Sequence, residues 1–320
     1  MIRAAVLTVC GRPPTVTSRP VPIAGAGQVP IAVTAAPITP LDVLCASGTS
    51  YFGTPALPYV PGVQGVGHRP DGTPVWFATS AGMRPGDGSM AAAVAVPESD
   101  VVAVPTDVPL PALAALGLSA VAAHSALTRT GALTFGEQVL VLGAGGVVGQ
   151  AAIQLALLCG ARRVIAVARS SAARSRAREL GAAAAVPYLP GDSPETLVAR
   201  LRDAADGPVD LVLDPVFGVP AAAALQVLRP GGRLVNLGGS AAPTAVFDSA
   251  TLRSGSLRIL GYTNNALTVE ERAESVVAVA THAAAGELSV SHEVVPFEQA
   301  ADAWARQAGG IARGRIVLTL

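Results

Sequence analysis

Two different patterns of hydrophobic and polar positions divide the chain. From residue 1 to about residue 117, short apolar runs at 31–33, 75–77, 93–96 and 101–104 are broken by turns rich in proline and glycine. Each run has the length and composition of a β-strand, and proline recurs too often for a long helical core. The pattern therefore predicts an all-β, barrel-like module.

From residue 118 to about residue 262, apolar runs alternate with helical patterns, with turns predicted at 206–207 and 230–232. This alternation predicts a parallel sheet with helices on both faces. A predicted helix at 269–286 and a predicted strand at 316–318 suggest that the chain then returns to complete the first domain. The predicted domains are a β-rich domain at 1–117, an α/β domain at 118–262 and a return segment at 263–320. The predicted strands of the sheet are residues 139–142, 164–168, 184–186, 211–213, 233–237 and 257–260.

A cluster of four glycines lies between the first of these strands and an apolar helical pattern. This strand, turn and helix are typical of a dinucleotide-binding unit, in which backbone N–H groups at the helix N-terminus hold the diphosphate. A strict G-x-G-x-x-G would need glycine in place of Val148, whereas a G-x-x-G-x-x-G spacing fits. An ordinary glycine turn is the alternative. The predicted phosphate-binding residues are Gly143, Gly146, Val147, Val148 and Gly149.

The end of the second predicted strand indicates which nicotinamide cofactor would bind. An acidic residue there would bind the 2′-hydroxyl of NAD, whereas an arginine accepts the 2′-phosphate of NADP. No acidic residue lies between Gly149 and Arg178. The alternative is a solvated, basic start of a helix. We predict NADPH in preference to NADH, with contacts from Ala168, Arg169, Ser170 and Arg174.

Composition excludes several classes of partner. The formal net charge is zero, so nothing indicates a nucleic acid or an acidic lipid as a partner. The longest apolar stretch, residues 113–127, contains polar residues and is expected to be too short to span a bilayer. The N-terminal apolar run is too brief for a signal peptide. We therefore expect a cytoplasmic protein that binds neither membranes nor nucleic acid.

Five ordered motifs, at residues 36–43, 57–62, 143–149, 209–218 and 228–235, carry a family resemblance. The chain resembles the medium-chain dehydrogenase/reductase superfamily along its whole length, and in particular its zinc-free quinone oxidoreductase and enoyl reductase branch. The resemblance implies an α/β fold, with a Rossmann-type doubly wound parallel sheet and a β-rich, barrel-like (GroES-like) catalytic domain. It also implies a homodimer that pairs through the Rossmann-domain edge strand at 257–260.

The zinc-ligand positions of that superfamily are occupied by other residue types in this chain. A cysteine ligand corresponds to Thr39, the Gly-His-Glu motif corresponds to residues 62–64, and a third ligand falls near Leu116 or Gly117. A catalytic zinc needs about three protein ligands. No metal is therefore expected. The region between residues 67 and 76 is also shorter than is usual in the family, which affects the expected shape of the substrate cleft.

The chemistry expected without zinc is reduction of an electron-poor acceptor. Oxidation of an alcohol needs a zinc ion or a strong base, whereas a conjugated carbonyl spreads the negative charge that develops. We predict an NADPH-dependent reductase of a quinone or of an α,β-unsaturated carbonyl compound (an enone, enal or enoyl thioester). A specialised biosynthetic reductase on a polyketide-like intermediate remains an alternative. So does an NADPH-binding sensor or structural protein with negligible turnover.

The candidate catalytic residues lie in the first domain. Related reductases often have a tyrosine near the nicotinamide in the loop that contains Tyr51, where it would bind or protonate the substrate carbonyl. A loop aromatic with no chemical role is equally open. Thr39 is a candidate to bind the substrate or the nicotinamide ribose, and Asp42 is expected to be structural. Further cofactor contacts are predicted, from their position after sheet strands, at Pro215, Val216, Gly238, Gly239, Thr263, Asn264 and Asn265.

Overall fold

The computed structural model describes residues 1–320 and contains two compact units, Met1–Gly117 with Val269–Leu320, and Leu118–Thr268. The strands are β1 (Ile2–Val6), β2 (Thr15–Arg19), β3 (Gln28–Ile38), β4 (Gln64–His68), β5 (Pro74–Ala78), β6 (Ala93–Pro97), β7 (Val101–Ala103), β8 (Gln138–Val141), β9 (Arg163–Ala168), β10 (Ala184–Pro187), β11 (Val209–Asp214), β12 (Leu228–Asn236), β13 (Arg258–Gly261), β14 (His292–Pro296) and β15 (Arg315–Thr319). The α-helices are α1 (Pro40–Ala46), α2 (Leu110–Ser125), α3 (Val147–Leu158), α4 (Ser171–Glu179), α5 (Pro194–Ala204), α6 (Val219–Leu225), α7 (Ser249–Ser254), α8 (Val269–Ala284) and α9 (Ala300–Ala308).

The first unit is built on a seven-stranded sheet. Its strands follow the order β14-β15-β3-β4-β5-β7, with β6 also paired to β3, and all pairs except β14–β15 are antiparallel. The last strand, β15, pairs with β3 through a register that places Ile316 opposite Ile38. The end of the chain therefore completes the sheet that its beginning started.

The second unit is a six-stranded parallel sheet in the order β10-β9-β8-β11-β12-β13. In sequence order this is 3-2-1-4-5-6, the arrangement of two βαβ halves that meet between β8 and β11. All four residues of β8 are buried, and the last three are apolar, as expected for a strand covered on both faces. The predicted Rossmann-type sheet beside a β-rich domain is confirmed.

Two predicted features need correction. The sequence predicts a turn at 230–232, but these residues lie within β12, whose pairing with β11 shifts register between Val209 and Leu211. Gly231 has φ +72°, so the glycine forms an irregularity inside the strand rather than ending it. The second unit also extends to Thr268 rather than ending at residue 262. The added residues contact this unit through a hydrogen bond from the Asn264 side chain to the Leu118 carbonyl oxygen, at 3.2 Å.

The prediction that the longest apolar stretch is too short to span a bilayer is wrong. Helix α2 continues through a π-helical turn, Ala126–Thr130, so that Leu110–Thr130 forms 21 residues of sufficient length and hydropathy to cross a membrane. Of its most apolar window, 67% is buried inside the protein. The helix is also broken at Gly117, with φ +36° and ψ −139°. A buried core helix has the same length and hydropathy, so these two properties alone are weak evidence for a membrane span.

A buried ion-pair network lies at the amino end of the parallel sheet. The Arg233 guanidinium donates to both carboxylate oxygens of Glu137, at 2.7 and 2.6 Å. Its remaining N–H groups donate to the carbonyl oxygens of Gly131, Ala132 and Asp210. Each of the five guanidinium N–H groups thus has an acceptor, which is what allows this charge to be only 4% exposed.

Candidate functional site

The glycine turn predicted to bind phosphate connects β8 to α3 in the second unit. Gly146 is the N-cap of α3, and no side chain caps the helix. The first N–H groups of a helix have no acceptor within the helix, so those of Val147, Val148 and Gly149 are available to a ligand. A helix N-terminus of this kind is an anion-binding site, which matches a diphosphate.

The three spaced glycines are needed for different reasons. A Cβ atom on Gly143, which has φ +63°, would lie 2.6 Å from Cγ1 of Val216, and a Cβ atom on Gly149 would lie 2.5 Å from the Gly143 carbonyl oxygen. These two positions therefore need glycine for packing. A Cβ atom on Gly146 would meet only the Gly143 carbonyl oxygen, at 3.5 Å. Gly146 leaves space beside the helix N-terminus, and the turn fits the diphosphate of a nicotinamide dinucleotide.

The predicted cofactor residues after β9 have different environments: two are exposed, and one arginine is bound to the backbone of the strand end. Ala168 is buried at the end of the strand, whereas Arg169 and Ser170 are exposed. Arg174 folds back and donates to the carbonyl oxygens of Arg169, at 2.7 Å, and of Ala168, at 3.4 Å. Ser170 is the N-cap of α4, and its hydroxyl accepts a hydrogen bond from the N–H of Ala173. Arg169 is therefore the guanidinium of this segment that has no partner within the protein.

The loops after β11 and β12 are held against each other. A Cβ atom on Gly238 would lie 2.8 Å from the Pro215 carbonyl oxygen, so glycine permits this close approach. The N–H of Ala241 donates to the Val216 carbonyl oxygen, at 2.8 Å. Four predicted cofactor residues, Pro215, Val216, Gly238 and Gly239, thus lie together at the carboxyl ends of two neighbouring strands, where parallel sheets bind ligands.

Sequence reasoning does not identify Asp214 as part of this site. Its carboxylate is fully buried and accepts hydrogen bonds from the N–H groups of Val216, at 3.0 Å, and Phe217, at 2.8 Å, and from Asn236 Nδ2, at 3.0 Å. Burial raises the pKa of Asp214, and these hydrogen bonds oppose the shift. The signal that could have found it is an acidic residue directly after a central apolar strand.

The segment after β13 is predicted to reach the nicotinamide carboxamide. The Asn264 side chain already accepts a hydrogen bond from the Tyr262 hydroxyl, at 2.7 Å, and donates one to the Leu118 carbonyl. Thr263 accepts a hydrogen bond from the N–H of Asn265, and both residues are exposed. Asn264 thus fixes the segment, whereas the side-chain amide of Asn265 remains exposed. The predicted cofactor contacts of Thr263, Asn264 and Asn265 stay predictions.

In the first unit, Thr39 is the N-cap of α1 and lies in a capping box with Asp42. The Thr39 hydroxyl donates to Asp42 Oδ2, at 2.6 Å, and accepts from the N–H of Asp42, at 3.1 Å. Asp42 also accepts from the N–H of Val63, at 2.8 Å, and burial raises its pKa against these hydrogen bonds. Because the hydroxyl hydrogen is committed to Asp42, Thr39 is left as an acceptor rather than a proton donor.

Tyr51 has a different environment from Thr39. Its side chain is 79% exposed, whereas Thr39 is 5% exposed. The tyrosine lies on a loop between Gly48 and Gly53, whose φ values of +77° and +93° favour glycine, and its ring is 4.2 Å from that of Phe52. The exposed phenol has access to a ligand, and its catalytic role stays a prediction.

The family's zinc-ligand positions carry Thr39, Val63 and Gly117 in this chain, and a buried carboxamide, Gln64, lies next to them. Gln64 is buried and accepts a hydrogen bond from Trp76 Nε1, at 3.1 Å. A Cβ atom on Gly117 would lie 2.2 Å from Gln64 Oε1, so the carboxamide occupies the space beside the third predicted position. The structure contains no group of three or more His, Cys, Asp or Glu side chains that could hold a metal ion. Thr39, Val63 and Gly117 offer neither a thiolate nor an imidazole, so the donor set at these positions does not fit a catalytic zinc.

Comparison with known proteins gives consistent matches. A model of the family described as zinc-binding dehydrogenase matches residues 147–281. A phenolphthiocerol/phthiocerol polyketide synthase of Mycobacterium tuberculosis is 30% identical over 308 residues, which are 92% of this chain and 14% of that protein. The mitochondrial enoyl-[acyl-carrier-protein] reductase of Rattus norvegicus is 28% identical over 248 residues, which are 73% of this chain and 64% of that protein.

Solved structures match the whole fold. A mycobacterial quinone oxidoreductase superposes with a TM-score of 0.88 at 23% identity, covering all of both chains. A mycobacterial protein in complex with NADPH superposes with a TM-score of 0.83 at 24% identity, again covering all of both chains. These two likenesses show the fold alone. The chain spans only part of both curated relatives, and just 14% of the polyketide synthase.

Proposed function

The chain belongs to the medium-chain dehydrogenase/reductase superfamily, and we propose that within it the protein is a zinc-independent, NADPH-dependent reductase of a quinone or an α,β-unsaturated carbonyl compound. It is an oxidoreductase with a nicotinamide cofactor. The observation that carries the proposal is the uncapped N-terminus of α3 behind a glycine turn whose middle glycine leaves space for a diphosphate.

The choice of NADPH over NADH is supported by the segment after β9. Arg169 presents an exposed guanidinium with no partner, and the Arg174 hydrogen bonds to the backbone hold the strand end that carries it. A guanidinium matches the geometry of a 2′-phosphate. The solved NADPH complex of a neighbouring fold is consistent with this choice.

Zinc independence is supported by residue chemistry in the first unit. The positions that would need sulfur or imidazole ligands carry Thr39, Val63 and Gly117, and the Gln64 carboxamide accepts a hydrogen bond from Trp76 instead. When bound, the cofactor supplies a hydride. The role left to the protein is to bind an acceptor that spreads negative charge and to supply a hydrogen-bond donor, for which Tyr51 is the candidate.

A carbon–carbon double bond conjugated to a thioester is the more specific candidate substrate. The match to the polyketide synthase extends over 92% of this chain, and the second curated relative is by name an enoyl-[acyl-carrier-protein] reductase. Quinone reduction is the second candidate, because the fold of this chain is also that of a quinone oxidoreductase. Both reactions use the same cofactor site, so the acceptor distinguishes them.

The test is NADPH oxidation with a panel of quinones, 2-enones, 2-alkenals and enoyl thioesters, with products identified by mass spectrometry. A saturated product from an enone or thioester supports carbon–carbon double-bond reduction, whereas turnover of quinones alone supports quinone reduction. Tight NADPH binding without turnover of any acceptor would contradict the proposed activity and favour a sensor. Metal analysis of the active protein tests zinc independence, and stoichiometric zinc would contradict it.

A paired variant connects the activity to the glycine turn. Gly146→Ala places a methyl group in the space beside the helix N-terminus without a backbone clash, because the nearest atom is 3.5 Å away. We expect its Kd for NADPH to rise about 10- to 100-fold, the effect of losing one charge-assisted hydrogen bond to phosphate. Gly25→Ala is the matched control, since its Cβ would also have a nearest contact of 3.5 Å, to the Gln28 side chain. Unchanged NADPH binding by the Gly146 variant would contradict the proposed site.

A further inference from the structure

One buried carboxylate connects three of the segments predicted to bind the cofactor. Asp214 Oδ1 accepts from the N–H groups of Val216 and Phe217, which fixes the loop after β11. Asp214 Oδ2 accepts from Asn236 Nδ2, and the same nitrogen lies 2.8 Å from the Gly238 carbonyl oxygen. The loops after β11 and β12 are therefore both held through the Asp214–Asn236 pair.

The network extends to the glycine turn through Val216. The Val216 side chain lies against Gly143, where a Cβ atom would be 2.6 Å from Cγ1 of the valine. The position of Val216 depends on its N–H bond to Asp214, because the loop turns sharply there and Phe217 adopts φ +60°, which is unfavourable for a bulky residue. A movement of the Asp214 carboxylate would therefore be transmitted to the phosphate-binding turn.

We infer that Asp214 and Asn236 are a positioning pair that sets the affinity for the nicotinamide cofactor by fixing the loops at 215–218 and 237–239 relative to the glycine turn. The inference rests on the proposed function, because it concerns the same cofactor. Asp214 is fully buried, so its carboxylate is not at the surface that a cofactor would meet. Its action is through the backbone of the loops it holds.

Two substitutions remove different parts of the network. Asp214→Asn keeps an oxygen for the backbone N–H groups but turns an amide nitrogen toward Asn236 Nδ2, so that two donors face each other. Asn236→Ala removes the bonds to Asp214 and Gly238 without adding a buried donor. If the first variant does not fold, the second still decides the question.

The control variant must lose stability through a side chain that makes no contact with the loops at 215–218 and 237–239. Gln138→Ala serves this purpose, because the Gln138 side chain lies at the amino end of β8 and donates to the carbonyl oxygens of residues 206–208. Melting temperatures of all variants are measured without cofactor. NADPH affinity is measured by fluorescence titration, and steady-state kinetics separates KM for NADPH from kcat.

We expect Asp214→Asn and Asn236→Ala to raise the Kd and KM for NADPH about 10- to 100-fold, with kcat at saturating NADPH reduced less. Gln138→Ala, at a similar loss of melting temperature, is expected to keep its Kd within about twofold of the unmodified protein. Unchanged NADPH affinity in both network variants would overturn the inference, as would an equal loss in the Gln138 control. If the unmodified protein does not bind NADPH, the proposed function itself fails, which is a separate result.

Discussion

Replacing Glu137 with glutamine should destabilise the second unit far more than the same change at an exposed glutamate. Glu137 is 8% exposed and faces Arg233, which is 4% exposed. Its carboxylate accepts both guanidinium hydrogen bonds, at 2.7 and 2.6 Å, and a third from the N–H of Thr134, at 2.9 Å. The amide of glutamine keeps one acceptor oxygen and turns a donor toward the guanidinium.

The expected loss of unfolding free energy follows from the buried Arg233 charge that the substitution leaves without a carboxylate. Breaking a buried ion pair by removing one partner costs about 3 to 5 kcal/mol, because the remaining charge stays buried without compensation. Arg233 is 4% exposed and is held in place by its bonds to the carbonyl oxygens of Gly131, Ala132 and Asp210. For comparison, Glu179→Gln removes an exposed pair with Arg176, at 3.2 Å, and should cost about 0.5 kcal/mol or less.

Hydrogen exchange measured by mass spectrometry on peptides from β8, β11 and β12 gives the opening free energy of the second unit. The pH dependence is a second check. Burial raises the pKa of Glu137, but the hydrogen bonds from Arg233 and Thr134 outweigh it and leave the pKa below the ordinary 4.5. The stabilisation is therefore complete above pH 4.5 and is lost as the pH falls through the lower value of the folded state. Equal effects of the two glutamine variants at neutral pH would refute this account.

Three further predictions concern cofactor choice, catalysis and assembly. Arg169→Ala should weaken NADPH binding about 5- to 10-fold while leaving NADH binding unchanged, as measured by titration with both cofactors. The exposed Arg202→Ala is the control variant, and an equal loss of NADH affinity in Arg169→Ala would contradict the 2′-phosphate contact. Tyr51→Phe should lower kcat about 100-fold or more with unchanged NADPH affinity if the phenol donates a proton, and unchanged turnover would reject that role. We also propose that β13, the edge of the parallel sheet, pairs with its copy in a homodimer, so Ile259→Asp should yield monomers in sedimentation velocity, and a monomeric unmodified protein would remove the proposal.

The fold can be predicted to the extent that local patterns determine it. The strands β8 and β9 and the helix α3 are recognisable because an apolar run, a glycine turn and a helical period follow one another directly. Residues 230–232 resemble a turn because proline and glycine signal turns locally, whereas the flanking pairs Leu228–Val209 and Arg233–Leu211 place them within β12. Long-range pairing determines the structure at that point.

The candidate site is predictable in outline but not in its supporting interactions. The glycine turn carries its function in its own sequence. By contrast, the role of Asp214 depends on Asn236, which is brought close only when β11 and β12 pair. Arg174 illustrates the same limit: its charge suggests a phosphate contact, yet its guanidinium binds the carbonyl oxygens of Ala168 and Arg169. The sequence indicates which charges are present but not which of them the folded backbone uses.

Buried polar side chains have different roles at the two ends of the parallel sheet. At the amino end, Glu137 and Arg233 satisfy each other, and Arg229 donates to both Glu137 and Asp210. At the carboxyl end, Asp214 binds loop backbone instead of a cation, so its interactions hold the surface that a cofactor would meet. Substitutions at the amino end should therefore change stability with little effect on cofactor affinity, and those at the carboxyl end should change affinity at a given stability. The separation of stability from cofactor affinity follows from strand direction. All carboxyl ends of a parallel sheet lie at one edge, and the N-termini of the helices that follow the strands lie at the same edge.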